Sequence, residues 1–230
     1  VTIENVNISS GGDAIDVGSS SANITLKGKN KLFSESKSAL HVSSGNVTID
    51  GDGSLEAGIQ DDIEGSYNHN AKIGSHENEN MSGTIHITGD ATVTTDDNTA
   101  QVCGGDGAGI GSGEDGDMSG TIIIDGKAHV EASSNDRGAG IGSGKGAKGN
   151  TAITIEGSTV KAVGGNGAAI GSGSEGDLYS PPTGTPNALK TIIHITDSNV
   201  TASSDSSAAI GSGSYSTNAT DIEITGGTIN

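Results

Sequence analysis

The side chains best suited to hold a hard cation sit in three acidic stretches: Glu77-Asn78-Glu79-Asn80, Glu114-Asp115-Gly116-Asp117 and Glu175-Gly176-Asp177. Calcium takes about six to eight oxygen ligands, mostly carboxylate and carbonyl. The first two stretches follow corresponding points of a repeat and are expected on neighbouring coils. Glu77, Glu79, Asp115 and Asp117 are therefore the calcium ligands to test, against the reading that they are solvated charges. No EF-hand loop and no G-G-x-G-x-D nonapeptide accompanies them. A second set, Asp61, Asp62, Glu64 and His69, shares one segment, but no spacing forces its members together. His86 and His194 fall at outward strand positions on coils that are not adjacent, so one metal cannot join them. Cys103 is the only cysteine, beside Gly104-Gly105, and reads as a small buried filler rather than a nucleophile.

Aromatic rings are the usual platform for sugars. The chain has no Trp, one Phe and three Tyr. Tyr67 lies in an insertion over 60–71. Tyr179 lies in one over 177–190, beside Pro181, Pro182 and Pro186. Tyr215 follows the last repeat motif. Long loops on a rigid scaffold are where function concentrates. A glycan site is therefore expected at Tyr67 and Tyr179 with Asp61, Asp62 and Asp177 nearby. The plainer reading has these rings covering open flanks of the scaffold.

The scaffold follows from a repeat. The motif Ile-Gly-Ser-Gly begins at Ile110, Ile141, Ile170 and Ile210, with a worn copy at Ile73-Gly74-Ser75-His76. Each copy is followed by an alternating segment such as Thr84-Ile85-His86-Ile87 or Thr121-Ile122-Ile123-Ile124. A tight turn and an apolar residue come next. Three earlier copies lack the motif but keep the alternation: Val1-Thr2-Ile3, Ile24-Thr25-Leu26 and Val47-Thr48-Ile49. Alternation with period two is strand geometry with one face inward, and no stretch shows a helical period. The spacing is that of a solenoid, whose single repeat cannot bury its own apolar face.

Three inward columns are expected. One runs Ile3, Leu26, Ile49, Ile87, Ile124, Ile155, Ile195 and Ile224. Another runs Ile8, Leu32, Leu55, Val93, Val130, Val160, Val200 and Ile229. The last runs Ile15, Leu40, Ile73, Ile110, Ile141, Ile170 and Ile210, with Ala71, Ala108, Ala139, Ala168 and Ala208 beside it. Only 30% of residues are apolar and 2% aromatic, which in an unpatterned chain would predict disorder. A core one side chain thick needs few apolar residues if they recur on schedule. Gly-rich corners such as Asp125-Gly126 and Gly226-Gly227 supply the turns. The expected fold is all-β, a right-handed parallel β-helix of about eight coils with three short strands each, forming one domain over 1–230.

The Gly residues flanking each motif Ile, such as Gly109 and Gly111, leave a strip almost free of side chains. It serves either close backbone packing or a smooth binding ledge. Ser112, Ser143, Ser172 and Ser212 are expected as an inward hydroxyl ladder. The chain starts inside one strand and stops just after another, which reads as a fragment of a longer chain. The formal charge of −18 disfavours nucleic acid and anionic membrane as partners. No apolar run is long enough to insert in a bilayer.

The pattern G-G-x-G-A-G-I-G-S-G, G-T-I-x-I-x-G, x-V-x-A-x-G-G resembles the glycine-rich β-helix repeats of large surface proteins from gut Firmicutes. The N-terminal runs Val1–Ile8, Ala14–Val17 and Asn23–Gly28 resemble them too. Those proteins are described as carbohydrate-binding or adhesin-like. More distantly the chain resembles the pectate-lyase-like superfamily, whose lyases use a Lys or Arg base beside calcium and whose hydrolases use several Asp with a His. Arg137, the only arginine, lies in the turn Ser134-Asn135-Asp136-Arg137-Gly138, and the ten lysines are scattered, none beside an obvious acidic cluster on a matching coil face. The resemblance implies a non-catalytic extracellular module on a Gram-positive cell surface. It would act as a rigid spacer or bind a neutral glycan or host protein. The alternative is a calcium-assisted polysaccharide lyase or hydrolase.

Overall fold

The computed structural model describes residues 1–59, 69–96, 105–149, 151–176, 192–216 and 220–230. Every regular element among them is a strand. Two sheets have eight strands, a third has seven, and all pairing is parallel. Consecutive strands of the chain fall in different sheets in strict rotation, which makes a three-sided parallel β-helix. Coil 1 comprises Thr2–Glu4, Asn7–Ser10 and Ile15–Gly18, coil 2 Ser21–Lys27, Lys29–Ser34 and Leu40–Val42, and coil 3 Asn46–Gly51, Ser54–Ile59 and Ile73–Gly74. Coil 4 has Thr84–Ile87, Thr92–Asp96 and Ile110–Gly111, and coil 5 has Thr121–Ile124, His129–Ser134 and Ile141–Gly142. Coil 6 has Ala152–Glu156, Thr159–Gly164 and Ile170–Gly171, and coil 7 has Ile192–Thr196, Asn199–Ser204 and Ile210–Gly211. Coil 8 ends with Asp221–Thr225 and Thr228–Ile229.

The core is the expected stack. Ile87, Ile124, Ile155 and Ile195 align in the first sheet, Val93, Val130, Val160 and Val200 in the second, and Ile73, Ile110, Ile141 and Ile170 in the third. All are essentially inaccessible to solvent, each contributing roughly 1.5–3 kcal/mol. Met81 and Met118 bridge neighbouring coils and fill the corner between the third and first sheets, a role their flexible thioether chains suit.

Two expectations need correction. Ile49 pairs with Ile24, not Leu26, and Leu55 pairs with Asn30, not Leu32. Coils 1 and 2 pair as expected, and the displacement by two residues falls between coils 2 and 3 in both the first and the second sheet. A shift of two keeps every inward side chain inward. Asn30 consequently takes a core position, and its polar atoms are satisfied. It accepts from the Val6 N–H (3.1 Å) and donates to the Lys27 and Ser54 carbonyls (3.1 Å each). The second correction is at the far end: Ala208, Ile224 and Ile229 are exposed and Ile210 is only half-buried, because each lies on or beside the last described strand of its sheet, with no further coil stacked on it.

The glycine strip is packed backbone rather than a ledge. Gly111 and Gly142 adopt φ of 142° and 138° and are buried. A Cβ on either would lie 1.7–1.8 Å from the carbonyl oxygen of the next coil. The serine ladder is inward, as expected. Ser75, Ser112, Ser143 and Ser172 are buried, and each hydroxyl accepts the backbone N–H of the glycine directly after the equivalent serine of the next coil, as in Gly144 N–H to Ser112 Oγ at 3.0 Å. The room left by Gly109 admits a longer neighbour. The buried Lys72 side chain of coil 3 reaches the Ser133 carbonyl of coil 5 at 2.8 Å.

Candidate functional site

Two segments of each coil meet at one flank: the residues leading into the third-sheet strand and the turn leaving it. The turns stack in register, with Asn78, Asp115, Gly146, Glu175 and Tyr215 all left-handed at φ between 54° and 70°. Asn and Asp tolerate this conformation and Gly favours it. The residues just before them form one polar column, Glu77, Glu114, Lys145, Ser174 and Ser214. The facing column is His69, Asp106, Arg137 and Asn166. Backbone bonds tie the two together, such as Glu114 N–H to the His69 carbonyl and Lys145 N–H to the Asp106 carbonyl.

The middle of this flank is an ion-pair ladder. Arg137 grips buried Asp106 with two bonds of 2.7 Å, from Nε and Nη2. Lys145 Nζ donates to Glu114 Oε1 at 2.8 Å, and His69 Nδ1 meets Glu114 Oε2. Burial and the Glu114 charge push Asp106 up, and the bidentate bond from Arg137 and the Lys145 charge offset only part of that. The Glu114 hydrogen bond raises Lys145 above its ordinary value. Burial would lower Arg137, yet Asp106 outweighs it and raises the guanidinium further.

The four carboxylates expected to share calcium stand in different columns. Glu77 stacks with Glu114, Asn78 with Asp115, Glu79 with Gly116 and Asn80 with Asp117. Glu79 accepts from His41 Nε2 at 2.7 Å. Asp117 accepts the Lys148 N–H at 3.3 Å, and its own N–H donates to Asn80. Among the described residues, two groups of side chains have the types and spacing to ligate a metal. Asp13, His41 and His76 form one, and His69, Glu77 and Glu114 the other. Glu77 is thus the only member of the expected quartet that enters such a group. There Lys145 already neutralises Glu114.

The first group lies where the repeat is worn. Asp16 and His41 share the register position of Gly74 and Gly111, and His76 replaces the last Gly of the motif. The His41 and His76 rings stack 3.8 Å apart, 8° from parallel. His41 Nδ1 meets Asp16 Oδ1 and its Nε2 meets Glu79 Oε2, both at 2.7 Å. His76 Nε2 meets Asp13 Oδ1 at 2.7 Å, and its Nδ1 lies 3.4 Å from Glu79 Oε2. Asp13 also accepts the Ser38 N–H at 3.0 Å. Burial alone would lower His41, but Asp16 and Glu79 outweigh it and raise the ring. Burial would raise Glu79, but His41 and the His76 N–H hold it below its usual value. Reading the sequence missed this cluster. Its signal was positional: the departures from Ile-Gly-Ser-Gly fall on three successive coils.

The remaining positions are quickly placed. His86 and His194 are outward in the first sheet, in register with Thr48, Thr154 and Glu223. His86 Nε2 meets Asp125 at 3.0 Å and His194 Nδ1 meets Glu223 at 3.3 Å. Asp61, Asp62, Glu64, Tyr67, Cys103, Asp177 and Tyr179 lie outside the described residues. Tyr215 lies within them and is 87% exposed. No helix among the described residues is long and apolar enough to cross a membrane.

Comparison with known proteins finds a repeat model that matches part of the chain. Residues 122–145, 153–174 and 193–214 match the family model described as a beta helix repeat. Each matched stretch begins on an inward first-sheet isoleucine and ends in the turn after the third-sheet strand, so each is one coil. No curated protein and no solved structure matches the chain. Repeat match and strand topology agree on a parallel β-helix.

Proposed function

We propose that this β-helix is a non-catalytic module of an extracellular bacterial surface protein, a rigid spacer whose loops engage a neutral glycan or a host protein. The observation that carries this reading is the state of Arg137 and Lys145, the two cations on the acidic flank. A β-helix lyase needs a Lys or Arg able to give up its proton, and useful bases have values drawn toward the working pH. Here Arg137 and Lys145 are committed to Asp106 and Glu114 across coils and are moved the other way. Eight coils at roughly 4.8 Å each make a rod of about 35–40 Å, stiff enough to present a loop at a distance. Tyr215, exposed on a left-handed turn, is the kind of ring a sugar face would use, and joins Tyr67 and Tyr179, expected from the sequence, as a candidate. The charge of −18 favours neutral over polyanionic ligands. The test pairs a glycan array with an assay for unsaturated uronate on pectins, using the whole chain. The expected result is no turnover, with neutral-glycan binding weakened by Tyr67→Ala or Tyr179→Ala while the melt is unchanged. Release of unsaturated product would overturn the reading in favour of a calcium-assisted lyase.

A further inference from the structure

We propose that Asp13, His41 and His76, with Asp16 as a fourth donor, form a binding site for a zinc-class divalent transition metal that joins the first three coils. The ligand atoms of Asp13, His41 and His76 lie within 4.8 Å of one another. A tetrahedral zinc with bonds of about 2.0–2.2 Å needs neighbouring donors a little over 3 Å apart, so side-chain adjustments suffice. The two rings are stacked, parallel and 3.8 Å apart, so they must turn out of the stack for both in-plane lone pairs to converge on one ion.

The strongest feature is the outer partner. Ligating histidines ordinarily donate their other ring N–H to a carboxylate, which fixes tautomer and orientation. Glu79 stands in that position for His41, hydrogen-bonded to Nε2 at 2.7 Å, and lies within ion-pair distance, 3.4 Å, of His76 Nδ1. The nitrogens left over, His41 Nδ1 and His76 Nε2, are the ones that meet Asp16 and Asp13. Glu79 is fixed in turn by the His76 backbone N–H at 3.2 Å, and Asp13 by the Ser38 N–H.

The donor set names the metal. Two imidazoles and two carboxylates suit zinc and its neighbours, whereas calcium prefers a larger, all-oxygen shell. Among the described residues no lysine or arginine pairs with these groups, unlike the Glu77–Glu114 group, where Lys145 pairs with Glu114 at 2.8 Å. Asp16, with 64% of its side chain exposed, leaves a route for the ion from solvent. Because the ligands come from coils 1, 2 and 3, the ion would staple coils whether or not the chain carries a glycan.

The test is calorimetric titration of the whole chain with Zn²⁺, with Co²⁺ absorption as a geometric readout. One Zn²⁺ per chain is expected, with intense visible bands for four-coordinate Co²⁺ and a higher melting temperature. Asp13→Asn and His76→Ala should each weaken affinity at least about 100-fold, and Glu79→Gln by about 10–100-fold. His86→Ala, a histidine elsewhere, should leave it unchanged. Asp13→Asn keeps an acceptor for Ser38, and circular dichroism checks that every variant is folded. Absence of saturable Zn²⁺ binding would overturn the site. So would unchanged affinity in folded Asp13→Asn and His76→Ala, or Ca²⁺ competing equally with Zn²⁺.

Discussion

The middle coils and the first coils build the same corner in two ways. In coils 4 to 6 the position after the inward isoleucine is Gly111, Gly142 or Gly171, pressed against the next backbone, and a buried serine accepts the N–H beyond it. In coils 1 and 2 the same register position carries Asp16 and His41, and the chain passes without that close approach. Where the repeat is perfect, the corner is backbone and chemically silent. Where it is worn, side chains emerge, and they emerge together, because a parallel stack puts every departure directly above the last. In a solenoid, loss of the motif on successive coils is how a site is assembled.

The contrast can be broken most forcefully at the glycine. Gly142→Val should destabilise by on the order of 3–4 kcal/mol, since its side chain would meet the Gly171 carbonyl in a backbone region closed to valine. Asp16→Gly, at the same column in coil 1, should change stability in metal-free buffer by about 1 kcal/mol or less, as Asp16 itself is 64% exposed although its partner His41 is buried. Chemical denaturation measures both, and equal losses would erase the distinction. A smaller effect sharpens it. Ser112→Ala should cost about 1–3 kcal/mol by leaving the buried Gly144 N–H without its acceptor.

The least effect concerns a histidine in a regular coil. Burial would raise Asp125, but hydrogen bonds from Thr88 and His86 hold it below its ordinary value near 3.8. A carboxylate lowered on folding contributes stability that is present above its unfolded value and lost as pH falls through the folded one. Asp125→Asn should therefore flatten slightly the fall in melting temperature below about pH 4 and leave the curve at neutral pH nearly parallel. An unchanged acid limb would show that the His86 pair contributes nothing.

Periodicity made the fold legible. The inward identity of Ile110, Ile141 and Val130 followed from alternation alone, and the buried serine ladder followed from its place two residues after each isoleucine. Pairing between particular strands was less legible. An even register shift leaves the alternation intact, so nothing in the pattern distinguished Ile24 from Leu26 as the partner of Ile49. The polar flank was hardest. Asp13, His41 and His76 are far apart along the chain and belong to coils without a clean motif. The acidic stretches, by contrast, drew attention as runs of charge, yet stacking sends Glu77, Glu79, Asp115 and Asp117 to different neighbours.

Lys72 changes how the stack should come apart. A solenoid is usually a one-dimensional system in which each repeat feels only the two beside it. By reaching from coil 3 past Gly109 to the Ser133 carbonyl of coil 5, this side chain couples second neighbours. Coil 4 cannot then open as an independent unit, and the centre of the rod acquires a longer cooperative length than its repeating sequence would give it.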